Sequence, residues 1–169
     1  MIRDSGNRRD FSSGAVRDIQ EGKGRCDLLP LDVIAKYTHD DVLYWIAKFQ
    51  ESHDPQDLWN AIDMFQYRAW KMGVVDTRQR TANTLLEVSK HFEEGAKKYG
   101  EYNWQKGIPV RCYIDSAVRH YLKWVRGDND EPHDRAFVWN LLCCLWTIHH
   151  KKGETTEIEP VGCGGEADE

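Results

Sequence analysis

Apolar residues recur at helical spacing along most of the chain, and almost no stretch alternates between apolar and polar residues as a strand would. In the segment DLWNAIDMFQYRAWKMG, the apolar positions are Leu58, Ile62, Phe65 and Ala69. They fall on one face of an α-helix, and Gly73 follows where a glycine commonly ends a helix. The segment therefore predicts an amphipathic helix that begins after the break at Pro55.

Five other segments show the same periodicity, and their predicted starts are near Pro30, at Asp40 or Asp41, and at Thr77, Val110 and His133. Their expected apolar faces are Leu31, Ile34 and Ala35; Val42, Leu43, Trp45, Ile46 and Phe49; Leu85, Val88, Phe92 and Ala96; and Tyr113, Ala117 and Leu122 with Trp124 or Val125. The last segment is the most apolar, so we expect residues 133–148 to be the central helix. The pattern predicts an all-α fold, a single bundle of about five or six helices.

The two ends of the chain differ in composition from the helical part. Residues 1–25 contain four glycines and many charges, which predicts a flexible N-terminal arm with one turn of helix around Ala15 to Gln20. Residues 26–152 form the predicted all-α domain. Residues 153–169 form an acidic, Gly-rich tail that we expect to be mobile.

Composition limits the classes of protein that fit. With 169 residues, the chain is long enough for one domain with a sizeable core. A formal net charge of −5 disfavours a nucleic-acid-binding protein, and no apolar run reaches the roughly 20 residues of a membrane helix. The five cysteines form no CxxC pair, and the N-terminus has no apolar signal segment. We therefore expect reduced thiols and a cytoplasmic protein.

Two segments concentrate polar residues, and the first is HFEEGAKKYGEYNWQKGIPVRCYIDSAVRH. The helix predicted at its start carries one polar stripe: Glu87, His91, Glu94 and Lys98. A solvated face with i,i+4 ion pairs accounts for this stripe as well as a binding site does. Asp115 and Arg119 also have ion-pair spacing, and His120 beside them is as compatible with a packed histidine as with a functional one.

The second polar segment is GDNDEPHDRAFVWN. Glu131 and Asp134 lie three residues apart at a predicted helix start, where carboxylates are favourable for structural reasons but can also face one cation. Asn140 is a polar residue within an apolar run, so its amide needs a partner. Tyr99 or Trp104 offers a ring on which a purine can stack. Because these groups lie on successive helices, an antiparallel bundle would bring them together.

The stretches GAVRDIQEGKGRCDLLPLDVI, HFEEGAKKYGEYNWQKGIP, YIDSAVRHYLKWVRG and DEPHDRAFVWNLLC occur in this order over roughly residues 5–147. Together they resemble the phage and bacterial dATP/dGTP diphosphohydrolase N-terminal domain family, which is linked to the MazG-like nucleotide pyrophosphohydrolases. That resemblance implies an all-α enzyme of nucleotide-pool control. MazG-like enzymes hold Mg²⁺ with an EExxE pattern followed by ExxD. Glu93 and Glu94 match the first two glutamates, Lys97 replaces the third, and Glu131 and Asp134 match ExxD.

The resemblance implies metal-dependent hydrolysis of a (deoxy)purine nucleoside triphosphate to a monophosphate and pyrophosphate, with Mg²⁺ or Mn²⁺ as cofactor. The expected metal ligands, from the resemblance and the placement of polar groups, are Glu93, Glu94, Asp115, Glu131, His133 and Asp134. The expected catalytic residues are Glu94, Glu131, Asp134 and His120. The expected substrate-binding residues are Arg25, Lys98, Tyr99, Asn103, Trp104, Arg119 and Asn140. We also expect the arm from about Arg17 to pack near the site and to supply a cation for phosphate.

Two other functions stay open. The polar residues could serve structure in a non-catalytic helical module that binds a nucleotide or a protein. A hydrolase of the HD type is a weaker alternative, since His-Asp dipeptides occur at His39, His53 and His133 without a clear H…HD…D set. MazG-like relatives often build the site across a dimer, so the resemblance also implies a homo-oligomer. No membrane partner is expected.

Overall fold

A computed structural model describes residue 6 and residues 8–18, 24–69 and 77–151, with residues 77–81 described by their backbone alone. The elements are strands β1 (Arg8–Asp10) and β2 (Val16–Asp18), a 3₁₀ turn (Cys26–Leu28), helices α1 (Leu31–Thr38), α2 (Asp41–Ser52), α3 (Pro55–Ala69) and α4 (Thr77–Tyr99), a second 3₁₀ turn (Asn103–Lys106), and helices α5 (Val110–Arg126) and α6 (His133–His150). Within these described ranges the fold is a bundle of six helices with one two-stranded sheet, which confirms the predicted all-α class. The predicted helix end at Gly73 and the predicted tail lie outside the described residues.

The N-terminal segment forms an antiparallel hairpin, so the helical turn predicted from Ala15 onward is wrong. Strands β1 and β2 pair with Arg9 opposite Arg17. In the connecting turn, the amide of Gly14 (φ +79°) donates to the carbonyl of Phe11 at 2.8 Å. Ala15 is fully buried, so the hairpin is packed against the helical body. Local propensity misled the prediction because a short hairpin gains its stability from non-local packing.

Helix boundaries in the first half of the chain follow the predicted signals. The Asp40 carboxylate caps α2 by accepting hydrogen bonds from the amides of Val42 and Leu43, both at 3.0 Å. The residues that directly follow α1 and α2 are His39 and His53, and both adopt the left-handed conformation that commonly terminates a helix. The predicted apolar residues that are buried in these helices and in α3 are Leu31, Ala35, Val42, Leu43, Ile46, Phe49, Leu58, Ile62 and Phe65.

Helix α4 presents a different face to the core from the one predicted. Leu85 is 51% exposed, whereas Thr84, Val88 and His91 are buried. The two consecutive leucines at 85 and 86 left the apolar period ambiguous, and both are exposed. The inner face of α4 is therefore partly polar, and His91 packs on Trp139 of α6 with ring centroids 5.1 Å apart.

Helix α6 is central, as predicted. It packs against α3, α4, α5 and the second 3₁₀ turn. Phe137 lies 4.5 Å from Phe65 of α3 and 5.6 Å from Tyr121 of α5, measured between ring centroids. On α5 the predicted cover is wrong at Leu122 and Val125, which are exposed at the end of the helix. None of the helices in the described part of the chain combines the length and apolar character that crossing a membrane requires.

Candidate functional site

A cavity of about 1030 Å³ lies between the hairpin, the second half of α4, the second 3₁₀ turn, α5 and the start of α6. Its wall contains cationic side chains, aromatic rings and one histidine–carboxylate group. The predicted site residues on this wall are Glu93, Tyr99, Asn103, Trp104, Asp115, Arg119, His120, Glu131 and Asn140. Tertiary packing thus joins the two polar segments at one cavity.

Arg17 of β2 reaches across the cavity wall to α5 and α6. Its guanidinium donates to the Cys112 carbonyl at 2.8 Å, the Ser116 hydroxyl at 3.0 Å and the Asn140 side-chain oxygen at 2.9 Å. All three acceptors are neutral, and the guanidinium also lies 5.3 Å from the centre of the Tyr113 ring. Asn140 thereby gains the partner that its position in an apolar run required. The positive charge of Arg17 stays available to an anion in the cavity.

The hairpin is held in place by side chains of α4 and the second 3₁₀ turn. The Asn103 amide bonds both backbone groups of Val16, accepting at 3.0 Å and donating at 2.9 Å. Lys98 and Tyr99 both donate to the carboxylate of Asp18, at 3.1 and 3.2 Å. Asn103 and Lys98 were predicted to bind substrate, but these contacts make them positioning residues for β2. Lys98 does not line the cavity.

One side of the cavity is aromatic. Phe92 contacts Trp104 and Trp139, with ring centroids 5.3 and 5.8 Å apart. Neither His91 Nδ1 nor Trp139 Nε1 has a hydrogen-bond partner within the described residues, although both atoms are buried. Burial, reinforced by nearby Arg135, lowers the pKa of His91 to about 4, so this ring is neutral near pH 7.

A compact group at the cavity is formed by His120 of α5, by Glu131 in the turn before α6, and by His133, the first residue of α6. The two Nδ1 atoms of the histidines are 3.0 Å apart. Glu131 Oε1 lies 3.8 Å from His120 Nδ1 and 3.7 Å from His133 Nδ1. Burial first, and then the neighbouring His133, hold the pKa of His120 well below its usual value. His120 is therefore neutral near pH 7, and at this distance one Nδ1 donates to the other.

Asp130 contacts His133 on the side of the ring opposite Nδ1. Asp130 was not among the predicted site residues. His133 Nε2 donates to Asp130 Oδ1 at 2.9 Å, and Lys123 Nζ lies 3.3 Å from Asp130 Oδ2. The hydrogen bond from His133, followed by that from Lys123, lowers the pKa of Asp130 to about 2. The i,i+3 spacing of Asp130 and His133 at a helix start was the signal available in the sequence.

Asp115 is buried on α5, and its carboxylate is occupied by hydrogen bonds within the protein. Its carboxylate accepts from the Cys26 amide at 2.6 Å and from Arg119 at 2.6 Å. Arg119 also donates to the Gly24 carbonyl at 3.0 Å. These contacts tie the segment before α1 to the cavity wall. The predicted metal ligation by Asp115 is not supported, since in the described residues no close set of potential ligand atoms contains it.

Three other predicted ligands also lie apart from the histidines. Glu93 lies at the edge of the cavity, is largely exposed to solvent and pairs with Lys97. Glu94 does not line the cavity and pairs with Arg135 of α6 at 2.7 Å. Asp134 does not line the cavity either, and in the described part of the chain it joins no cluster of potential ligands. The carboxylates diverge because neighbours on a helix point about 100° apart. The single pocket expected to hold Glu94, Asp115, Glu131, His133 and Asp134 is therefore not formed.

Two arginines and two histidines remain to be compared with the predictions. Arg25, predicted to bind substrate, is exposed and pairs with Asp27 at 2.5 Å, away from the cavity wall. Arg9 was not predicted, yet it lines the cavity and contacts the Cys112 sulfur at 2.8 Å. His39 and His53 end helices and belong to no potential ligand set among the residues described. This removes the support for an HD-type site.

The structure is an all-α domain whose cavity presents a guanidinium, aromatic rings and a histidine–carboxylate group. The sequence model of the family described as dATP/dGTP diphosphohydrolase, N-terminal, matches residues 66–157, and the chain belongs to this family. Its description implies a diphosphohydrolase, which is a hydrolase. The resemblance noted for residues before 66 lies outside the match. No curated protein and no solved structure matches the chain.

Proposed function

We propose that this protein hydrolyses (deoxy)purine nucleoside triphosphates to monophosphate and pyrophosphate in a metal-dependent reaction. The observation that carries this proposal is Arg17, a guanidinium in the cavity wall whose hydrogen-bond acceptors among the described residues are all neutral. A partly buried positive charge of this kind favours an anionic ligand, and a planar guanidinium suits phosphate oxygens. Family membership supplies the reaction class.

The base of the nucleotide has an aromatic surface available in the same cavity. Phe92, Trp104 and Trp139 line it together, and stacking on such rings suits a purine. His91 Nδ1 and Trp139 Nε1 are hydrogen-bonding atoms without a partner within the described residues. A purine edge that reaches them would satisfy buried groups that otherwise carry a desolvation cost.

The residues that fit a metal ion are His120, Glu131 and His133, because their potential ligand atoms converge and two of them line the cavity. When bound, Mg²⁺ or Mn²⁺ would neutralise phosphate charge and lower the pKa of a water. Arg17 would orient the phosphates by bidentate hydrogen bonds.

The test measures pyrophosphate release from dATP, dGTP, ATP, GTP, dCTP and dTTP with Mg²⁺ or Mn²⁺. We expect release from the purine nucleotides and its loss after chelation. Arg17→Gln should raise KM by about tenfold to hundredfold, the scale of a charge-assisted hydrogen bond. Arg111→Gln, which changes an exposed arginine of α5, is the matched control.

Two results would overturn the proposal. Nucleotide binding without pyrophosphate release would instead favour a non-catalytic module. An Arg17→Gln variant that melts like wild type and keeps its KM would remove the assignment of the phosphate site. We also propose a cytoplasmic homo-oligomer acting in nucleotide-pool control, which sedimentation and activity on cellular nucleotides would test.

A further inference from the structure

The geometry of the histidine–carboxylate group is that of a metal site. Three atoms separated by 3.0, 3.8 and 3.7 Å define a triangle: His120 Nδ1, His133 Nδ1 and Glu131 Oε1. The point equidistant from its corners lies about 2.0 Å from each, close to the length of the bonds that Zn²⁺ makes to imidazole and carboxylate. An ion at that point would contact all three atoms once the proton between the two Nδ1 atoms has left, with the remaining proton of His120 on its Nε2.

A hydrogen bond behind the group prepares His133 for ligation. His133 Nε2 lies 2.9 Å from Asp130 Oδ1, so its proton sits on Nε2 and the lone pair of Nδ1 is directed away from Asp130. A carboxylate that accepts from the distal nitrogen is the usual support of a metal-binding histidine. The hydrogen bond between His133 and Asp130 is therefore a second indication of a metal site, separate from the short distances among the three ligand atoms.

Charge also favours a cation here. Lys123 Nζ lies nearer to Asp130 (3.3 Å) than to Glu131 (3.9 Å), so the lysine chiefly balances Asp130. Among the three proposed ligands, the carboxylate of Glu131 supplies the negative charge. A site of this charge attracts a divalent ion without the mutual repulsion of clustered carboxylates.

A second possible ligand set, Asp128, Asp130 and His133, is less suitable. Asp128 pairs closely with Arg126, and Asp130 is engaged by both Lys123 and His133. Neither aspartate lines the cavity, whereas His120 and Glu131 do. An ion in the first set would therefore face the ligand cavity.

We propose that His120, Glu131 and His133 bind one first-row transition-metal ion, Co²⁺ more tightly than Mn²⁺, in preference to Mg²⁺. The affinity of a site with nitrogen ligands rises along the first transition series from Mn²⁺ to Co²⁺. Mg²⁺ selects oxygen ligands and retains its waters. Three protein ligands leave positions open on the ion for substrate. The inference rests on the proposed function only for the role of the ion, and binding itself is tested without nucleotide.

The experiment uses the full chain, stripped of metal with a chelator and titrated with Co²⁺ or Mn²⁺ by calorimetry. We expect one ion per chain, no displacement by equimolar Mg²⁺, and imidazole nitrogen coupling in the electron spin-echo spectrum of bound Mn²⁺. His120→Gln and Glu131→Gln should each weaken binding at least tenfold. Asp130→Asn should weaken it about 10–100-fold, the range for a residue that orients a ligand. His149→Gln, at an exposed histidine of α6, is the control.

Several outcomes would overturn the assignment: no stoichiometric binding, wild-type affinity in both His120→Gln and Glu131→Gln, or loss in Asp128→Asn alone. If His120→Gln does not fold, Glu131→Gln decides. Failure of this inference is distinguishable from failure of the proposed function. Metal binding that depends on His120, without pyrophosphate release from any nucleotide, contradicts the proposed function but not the metal assignment. Pyrophosphate release together with wild-type Co²⁺ affinity in both His120→Gln and Glu131→Gln contradicts the metal assignment alone.

Discussion

The two polar segments of this chain resemble the two halves of one metal-binding pattern, yet the structure uses them differently. In the α4 segment, Glu93 pairs with Lys97 on the surface and Glu94 pairs with Arg135 of α6. In the segment before α6, Glu131 lies within 3.8 Å of two histidine nitrogens. Of the four matching carboxylates, Glu131 alone belongs to a potential metal-binding group within the described residues.

The contrast shows how position in a helix decides the role of a carboxylate. A glutamate in mid-helix meets a lysine four residues on, or a cation of the helix it packs against, and is neutralised there. Glu131 precedes α6 in the turn after α5, where both histidines are within reach. The same residue type is a structural ion-pair partner in one segment and a potential ligand in the other.

The largest effect should separate Glu131 from Glu93. We expect Glu131→Gln to lower pyrophosphate release by about 10²-fold or more, the scale of losing a group that stabilises transition-state charge. Glu93→Gln should change it by less than about threefold, since an exposed ion pair contributes little. Initial rates at saturating nucleotide measure both. Equal losses in the two variants would break the comparison.

The next effect concerns the buried histidine of α4. His91 has a pKa of about 4 in the folded protein, where it faces Trp139, Arg135, Glu94 and Arg17. Unfolded, its pKa is near 6.5, so the unfolded chain binds the extra proton first and stability falls as pH drops from about 6.5 to 4. We expect His91 to account for about 2–3 kcal/mol of that fall.

Urea unfolding of wild type and His91→Gln at pH 7 and pH 4 isolates this contribution, because the other titrating groups are common to both proteins. The variant should lose less stability on acidification than wild type. The same pH dependence in both proteins would contradict the low pKa of His91 and leave the acid sensitivity with other groups.

The smallest effect should distinguish the two neighbouring glutamates of α4 by stability alone. Glu94→Ala removes the carboxylate that pairs with the buried Arg135, so we expect the free energy of unfolding to fall by about 1–2 kcal/mol. This is less than the loss for a fully buried pair, because Glu94 is partly exposed. Glu93→Ala should cost less than about 0.5 kcal/mol. Chemical denaturation of both variants measures the difference. Identical values would mean that Glu94 contributes no more than a surface ion pair.

The sequence by itself determined the helical architecture, because helix formation depends on contacts between residues three and four apart. It correctly indicated the cap at Asp40, the helix that starts at Thr77, and the central α6. It also indicated that the two polar segments meet. The dense polar mixture between residues 91 and 120 is unusual since it forms much of one cavity wall.

Only the tertiary structure decided which polar residues meet one another. Arg17 reaches Asn140 across 123 positions of sequence, and the hairpin that carries it has no local signal. His120 and His133 lie on different helices, so no spacing rule could bring their Nδ1 atoms to 3.0 Å. The reason is that periodicity assigns a residue to a face of its own helix, while the rotation and offset of packed helices select the residue opposite it.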